Sequence, residues 1–167
     1  MEIRTSTGQV MFESEYRAYL LANNGPSFET LTPEIMAELG IDPVLEGPQA
    51  TTVPPYQFSQ RSGVEQIGEQ WFTKYIAGPV FTDRAATEAE PAKTAAENEA
   101  AYKAQKDAEQ AASVRTDRTK RLAESDWSQI VDSTANKTTW ATYRQSLRDV
   151  TKQTGFPWTI EWPVAPE

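Results

Sequence analysis

Apolar positions along this chain recur at helical spacing near the C-terminus, alternate in the front half, and thin out in between. The helical case is the clearest. Trp140, Tyr143, Leu147 and Val150 are separated by three, four and three residues, one face of a 3.6-residue helix. Gly155 is the expected stop of that helix, and Pro157 opposes its resumption. Beyond it Trp158, Ile160 and Trp162 alternate, so an extended chain turns all three to one side. Folding this tail back onto the Trp140 face is the simplest way to take them out of water. Upstream, another helical pattern ends at Leu122-Ala123, and Ser125, Asp126 and Trp127 form a polar turn. The reading is a helical hairpin with a Trp- and Pro-rich tail, Trp127, Trp140 and Trp158 forming a miniature core.

In the front half the period is two. Glu2-Ile3-Arg4 and Gln9 to Phe12 flank Ser6-Thr7-Gly8 as a small hairpin. Phe12 to Leu21 predicts a short helix with Tyr16, Tyr19 and Leu20 on one side, broken by Asn23-Asn24-Gly25-Pro26. A further short helix has complete punctuation: Thr32 as cap, Pro33 at its first position, Glu34 beside the positive end, Gly40 as stop. Ile35, Met36 and Leu39 form its buried stripe. Residues 42–55 carry Pro43, Pro48, Pro54 and Pro55 and read as an extended connector. Tyr56 to Ile67 and Trp71 to Ile76 then pair across Gly68 as a second hairpin. Trp71, Thr73 and Tyr75 share one face; Phe72, Lys74 and Ile76 share the other.

Between these halves alanine occupies 12 of the 28 positions from 85 to 112, interleaved with Glu, Lys and Gln. Such composition predicts one long helix over about 92–122, ~45 Å at 1.5 Å per residue. Ala101, Ala104, Ala108 and Ala111 repeat at 3-4-3 as a narrow stripe. It fits either a solvated spacer or close packing on a partner. The expected class is therefore α+β: an acidic module of short hairpins and helices over 1–83, an Ala-rich helical spacer over 84–121, and the helical hairpin over 118–167.

Three strings in the hairpin carry more than periodicity. R-x-x-R-L-A-x-S-D-W comprises Arg118, Arg121, Leu122, Ala123, Ser125, Asp126 and Trp127. W-A-x-Y-R-Q-x-L-R-D comprises Trp140, Ala141, Tyr143, Arg144, Gln145, Leu147, Arg148 and Asp149. G-F-P-W-x-x-x-W-P comprises Gly155, Phe156, Pro157, Trp158, Trp162 and Pro163. Together, over about 115–163, they resemble the C-terminal region of phage tail (fibre) assembly chaperones. The stretches TPE, DPVLEGP and WFTKY resemble the front of such proteins; the long Ala-rich insert departs from them. The resemblance implies a non-enzymatic viral protein that binds a trimeric tail-fibre protein and assists its folding and trimerisation. It would act in the host cytoplasm, released afterwards or retained in the virion tail fibre. The alternative is a structural fibre or baseplate component of the virion.

Composition narrows the chemistry. There is no cysteine and no histidine, which removes thiol chemistry, the commonest general base and the commonest zinc ligand. No stretch approaches the ~20 apolar residues of a membrane span, and MEIRTSTG lacks a signal-peptide core. Residues 1–83 carry eleven acids against four bases, whereas 84–167 carry thirteen against twelve. The acidic front suits a basic or polar protein surface and repels polyanions. Arg115, Arg118, Lys120 and Arg121 form a basic cluster, but Asp117 and Glu124 interrupt it. A helix-terminal role explains it better than nucleic acid. Glu13/Glu15 and Glu88/Glu90 read as solvated pairs, and Ser125-Asp126 as a capping turn and not a nucleophile. No catalytic residue, metal ligand, cofactor or small-molecule substrate is expected.

What remains is protein recognition. Trp162, flanked by Pro163, is the best tryptophan for contact with another protein, since tryptophan joins large area to few torsions. Trp158 lies on the same tail. Arg144 and Arg148 on the second helix either pair with Asp126 or Asp149 or face a partner. Trp71 and Tyr75, together on the front hairpin, complete the partner-binding candidates.

Overall fold

The computed structural model describes residues 1–166 and divides into two compact units, Met1–Val80 and Phe81–Glu167. The first contains β1 (Glu2–Thr5), β2 (Val10–Phe12), α1 (Glu13–Ala22), α2 (Pro33–Leu39), β3 (Ile41–Leu45), β4 (Phe58–Ile67) and β5 (Gln70–Gly78). The second contains α3 (Ala95–Glu124) and α4 (Lys137–Asp149) with short 3-10 turns at Asp126–Gln129 and Val150–Lys152. The class is mixed α+β.

The first unit is a five-stranded sheet in the order β2-β1-β3-β5-β4, antiparallel except for β3 beside β5. Both predicted hairpins form. Ile3 and Ile41 on one sheet face meet Tyr16 and Leu20 of α1 and Leu31 before α2, and these five are the buried core. Ile35, Met36 and Leu39 of α2 pack against it on the expected face, though half-buried and not buried. Tyr19, by contrast, is exposed at the back of α1. Phe12 precedes α1 as its cap residue, and its N–H donates to the Glu15 carboxylate at 2.8 Å.

Residues 42–55 are not simply a connector. Ile41–Leu45 is a strand in the middle of the sheet, with Pro43 opposite Ile3 on β1 and Val44 opposite Trp71 on β5. Proline gives no N–H to a ladder, which is why a central strand is hard to read through it. At the sheet edge β4 changes register between Arg61 and Val64, where Gly63 takes a positive φ of 89°. Such a bulge twists an exposed edge away from further strand pairing.

The helix ends follow local chemistry. Thr32 Oγ1 accepts from the Ile35 N–H, and Gly40 closes α2 in the left-handed region at φ 62°. For α3, Thr94 Oγ1 accepts from the Glu97 N–H at 3.2 Å, while Glu97 Oε2 accepts from the Thr94 N–H at 2.8 Å. This reciprocal box satisfies two backbone donors that no helical turn can reach. The Thr94 N–H is the main cause holding the Glu97 carboxyl below its ordinary value of 4.5, with the Thr94 hydroxyl second. A depressed folded-state pKa means the cap's contribution is present above 4.5 and is lost as pH falls through the lower, folded value. Helicity by circular dichroism should therefore exceed that of Glu97→Gln at pH 7 and converge with it in acid. A constant difference across the titration would mean that the carboxylate is not the capping group.

Along α3 the buried residues are Ala111 and Val114. Ala101, Ala104 and Ala108 of the expected stripe are exposed, and only Ala111 of the four is covered. The first turns of α3 instead pack through one ring, Tyr102 against Phe81, with centroids 5.4 Å apart. On α4 the predicted face is as expected: Trp140, Tyr143 and Leu147 are buried, and Val150 follows in the 3-10 turn. That helix ends at Asp149, six residues before Gly155. Gly155 serves a later turn.

Candidate functional site

Within the unit Phe81–Glu167, α3 and α4 meet around Trp140, Tyr143 and Leu147, with Leu122, Ala135 and Trp162 packed against them. Trp140 stands edge-on to Tyr143 at 5.7 Å between centroids and to Trp127 at 5.1 Å. Edge-to-face pairs of this kind add ~0.5–1.5 kcal/mol beyond the area they bury.

The turn between the helices is held from a distance. The last carbonyls of α3 have no helical donor. Arg144, 22 residues away on α4, adds a donor to the Ser125 N–H and hydroxyl that already reach the Leu122 carbonyl: its Nη1 donates to that carbonyl and to Ser125 Oγ, both at 2.7 Å. Its Nη2 lies 2.7 Å from Asp126 Oδ1. The Arg144 side chain is 11% exposed, and Ser125 and Ser128 beneath it are fully buried. Ser128 Oγ donates to the Ser125 carbonyl at 2.7 Å, which closes the turn. Ser125 and Asp126 thus sit in a capping turn.

The tail runs along both helices. Trp158 Nε1 donates to Asp107 Oδ1 at 2.6 Å, so the indole finds its polar partner on α3. Arg121 lies 4.5 Å from the Trp162 ring centroid and Arg115 5.5 Å from that of Phe156. A side-chain amide pins the far end: Gln153 Nε2 donates to the Glu161 carbonyl at 2.8 Å and its Oε1 accepts from the Glu161 N–H at 2.9 Å. Gly155 belongs to this turn. A Cβ there would lie 2.5 Å from the Thr159 carbonyl oxygen, too close for any other residue without movement.

Of the sequence candidates, Trp158 and Trp162 are therefore half-buried along the hairpin, and Arg144 lies inside the turn. Arg148 is exposed on α4, next to Asp149, whose carboxyl is held low chiefly by Lys152 and then by Gln145. Trp71 and Tyr75 lie in the other unit. The Arg4 guanidinium stacks 3.7 Å above the Trp71 ring, and Tyr75 donates to Glu46 Oε1 at 2.6 Å. That hydrogen bond is the main cause raising the Tyr75 phenol above 10. Trp127, expected in the core, is 51% exposed, touching Trp140 by one edge. Ile130 and Val131 beyond it are exposed as well, so the tip of the hairpin carries three apolar side chains in five residues. Sequence reasoning missed this tip, and also missed Asp107, Gln153 and Ser128. The one usable signal was that a buried indole N–H on Trp158 demands an acceptor.

The comparisons with known proteins fall on this unit. Residues 111–167 match the family of phage tail assembly chaperone proteins. No curated protein and no solved structure matches the chain. The chaperone-family match begins at Ala111, the first buried residue of α3, and takes in every buried residue of the unit from Val114 to Val150. The match therefore coincides with a physical core. The Arg144 clamp, the Trp140 cluster and the pinned tail all lie within it. Among the described residues no group of acids has a metal-binding arrangement, and no helix is long and apolar enough to cross a membrane.

Proposed function

We propose that this protein is a phage tail-fibre assembly chaperone that binds the fibre protein and assists its folding and trimerisation in the host cytoplasm. The observation that carries the reading is the chaperone-family match over residues 111–167, the whole buried core of the C-terminal unit. The exposed apolar tip at Trp127, Ile130 and Val131 supports it, because a chaperone must offer apolar surface to an unfinished partner. Arg148 on α4, and Trp71 and Tyr75 on the front sheet, are further contact candidates. The front module, residues 1–83, gives this chaperone a second, acidic contact surface. The start of α3, residues 95–106, holds no buried residue and acts as the spacer before the family-like hairpin. The activity is binding, with no bond made or broken and no nucleotide or metal consumed.

Co-expression with the fibre protein of the same phage tests this. The soluble, trimeric yield of the fibre should rise several-fold with the wild-type chain and less with a Trp127→Ser, Val131→Ser variant. A fibre whose yield and oligomeric state ignore this protein defeats the proposal. Persistence in washed particles at a fixed ratio to fibre would instead favour a structural component of the virion.

A further inference from the structure

In the unit Met1–Val80, the end of α1 and the loop after it enclose a half-open pocket of about 200 Å³. Leu20, Leu21, Gly25, Pro26 and Phe28 line it, with Arg17 in the wall. Its size limits what it can hold. Cofactor and metabolite sites run from ~300 to 1,000 Å³, whereas an apolar cavity of ~150 Å³ accepts a single benzene ring. One ring-sized group fits here.

The wall selects the kind of group. Arg17 is fixed by its own bonds: Nη1 donates to the Phe28 carbonyl, and Nη2 to the Glu29 carbonyl at 3.1 Å and Glu13 Oε1 at 2.8 Å. Its guanidinium carbon lies 4.2 Å from the Phe28 ring centroid. With these donors engaged and its charge paired with Glu13, what Arg17 adds to a lining that is apolar apart from Ser27 is a flat guanidinium held in place, which stacks on the π-face of a ring. A saturated side chain would gain area burial alone. Gly25 keeps the geometry: a Cβ there would stand 2.8 Å from Leu20 Cδ2 and drive Leu20 out of place.

The rim selects how the ring arrives. Leu21, 81% exposed, stands at the mouth of the pocket. A free ring would leave it in water, whereas a ring carried on a polypeptide would cover it with neighbouring residues. We propose that this pocket is an anchor site for one aromatic side chain, phenylalanine or tyrosine, presented by another protein. The proposal goes beyond the chaperone reading and does not depend on it.

Methyl NMR of the intact chain tests it with two probes, N-acetyl-phenylalanine amide and its cyclohexylalanine counterpart, which share a carbon skeleton and differ in flatness and π-electrons. The expected result is saturable ring-current shifts at the Leu20 and Leu21 methyls. Binding of the cyclohexyl compound should be several-fold weaker. Ser27→Phe, at an exposed position on the same lining, should occupy the pocket from within and suppress the shifts. The wild-type pair of titrations decides the matter even if that variant folds badly. No saturable shift at Leu20 and Leu21, or equal binding of the two probes, overturns the proposal. Equal binding by folded Ser27→Phe overturns it too.

Discussion

Trp140→Ala is expected to unfold the C-terminal unit, at a cost of ~3–5 kcal/mol typical of deleting a buried tryptophan. Trp140 is 9% exposed and lies between Trp127 and Tyr143, with Leu122, Ala135 and Trp162 around the same cluster. Few other large side chains in that unit are buried, so neighbours cannot collapse into the space without losing their own contacts. Trp127→Ala is the matched control. It removes the same ring from a half-exposed place and should cost only about a third as much. Amide hydrogen exchange in the full chain reads both, because it separates the helical hairpin from the sheet. Protection across α4 should fall steeply for Trp140→Ala while the Ile3 and Ile41 amides keep theirs. Equal losses for the two variants would mean that Trp140 is not the centre of the cluster.

Arg144→Ala has the next largest expected effect, ~1–3 kcal/mol, because it takes the charged donor away from a buried turn. Ser125 Oγ, buried in the turn, loses its 2.7 Å donor, while the Leu122 carbonyl keeps the Ser125 N–H at 3.2 Å and the Ser125 hydroxyl at 2.8 Å. The ion pair with Asp126 is the lesser part. Asp126 is 68% exposed, so solvent screens it, and Asp126→Asn should cost under ~1 kcal/mol. Arg144→Lys should recover only part of the loss, since an ammonium cannot fork between the Leu122 carbonyl, Ser125 and Asp126. Urea denaturation followed by tryptophan emission ranks the three variants. If Arg144→Ala falls no further than Asp126→Asn, the guanidinium is only a surface ion-pair partner and the clamp does not exist.

The tip of the hairpin depends on the same contacts. Arg144 and the buried Ser125 and Ser128 hold the 3-10 turn from which Trp127 projects. A loosened turn would let Trp127 fold onto the core or fray. Loss of fibre rescue by Arg144→Ala at a temperature where α4 stays protected would then report presentation of Trp127, separate from unfolding.

Some of this protein could be read from the chain alone. The cap at Thr32, the stop at Gly40 and the long Ala-rich helix all depend on groups within a few residues of one another, so local chemistry decided them. The Trp140, Tyr143, Leu147 and Val150 face was legible for the same reason: periodicity states which side of a helix is apolar. The strings that resembled tail assembly chaperones lay in that segment too, and the family match covers it. Other features needed the tertiary structure. Ile41–Leu45 is a strand only because β1 and β5 flank it, and Pro43 argues locally against that. Arg144 could have faced a partner; its place under the turn follows from Leu122 and Ser125, some twenty residues earlier. Ala111 is buried while Ala104 and Ala108 are exposed on one stripe, a difference that spacing alone does not state. Trp127 sits outside and Trp140 inside on equal hydrophobicity, since Trp140 lies on the α4 face that packs with Leu122, Ala135 and Trp162 while Trp127 projects from the 3-10 turn. Short-range bonds can be inferred from spacing. Which of two equally apolar groups is covered depends on what the rest of the chain brings to it.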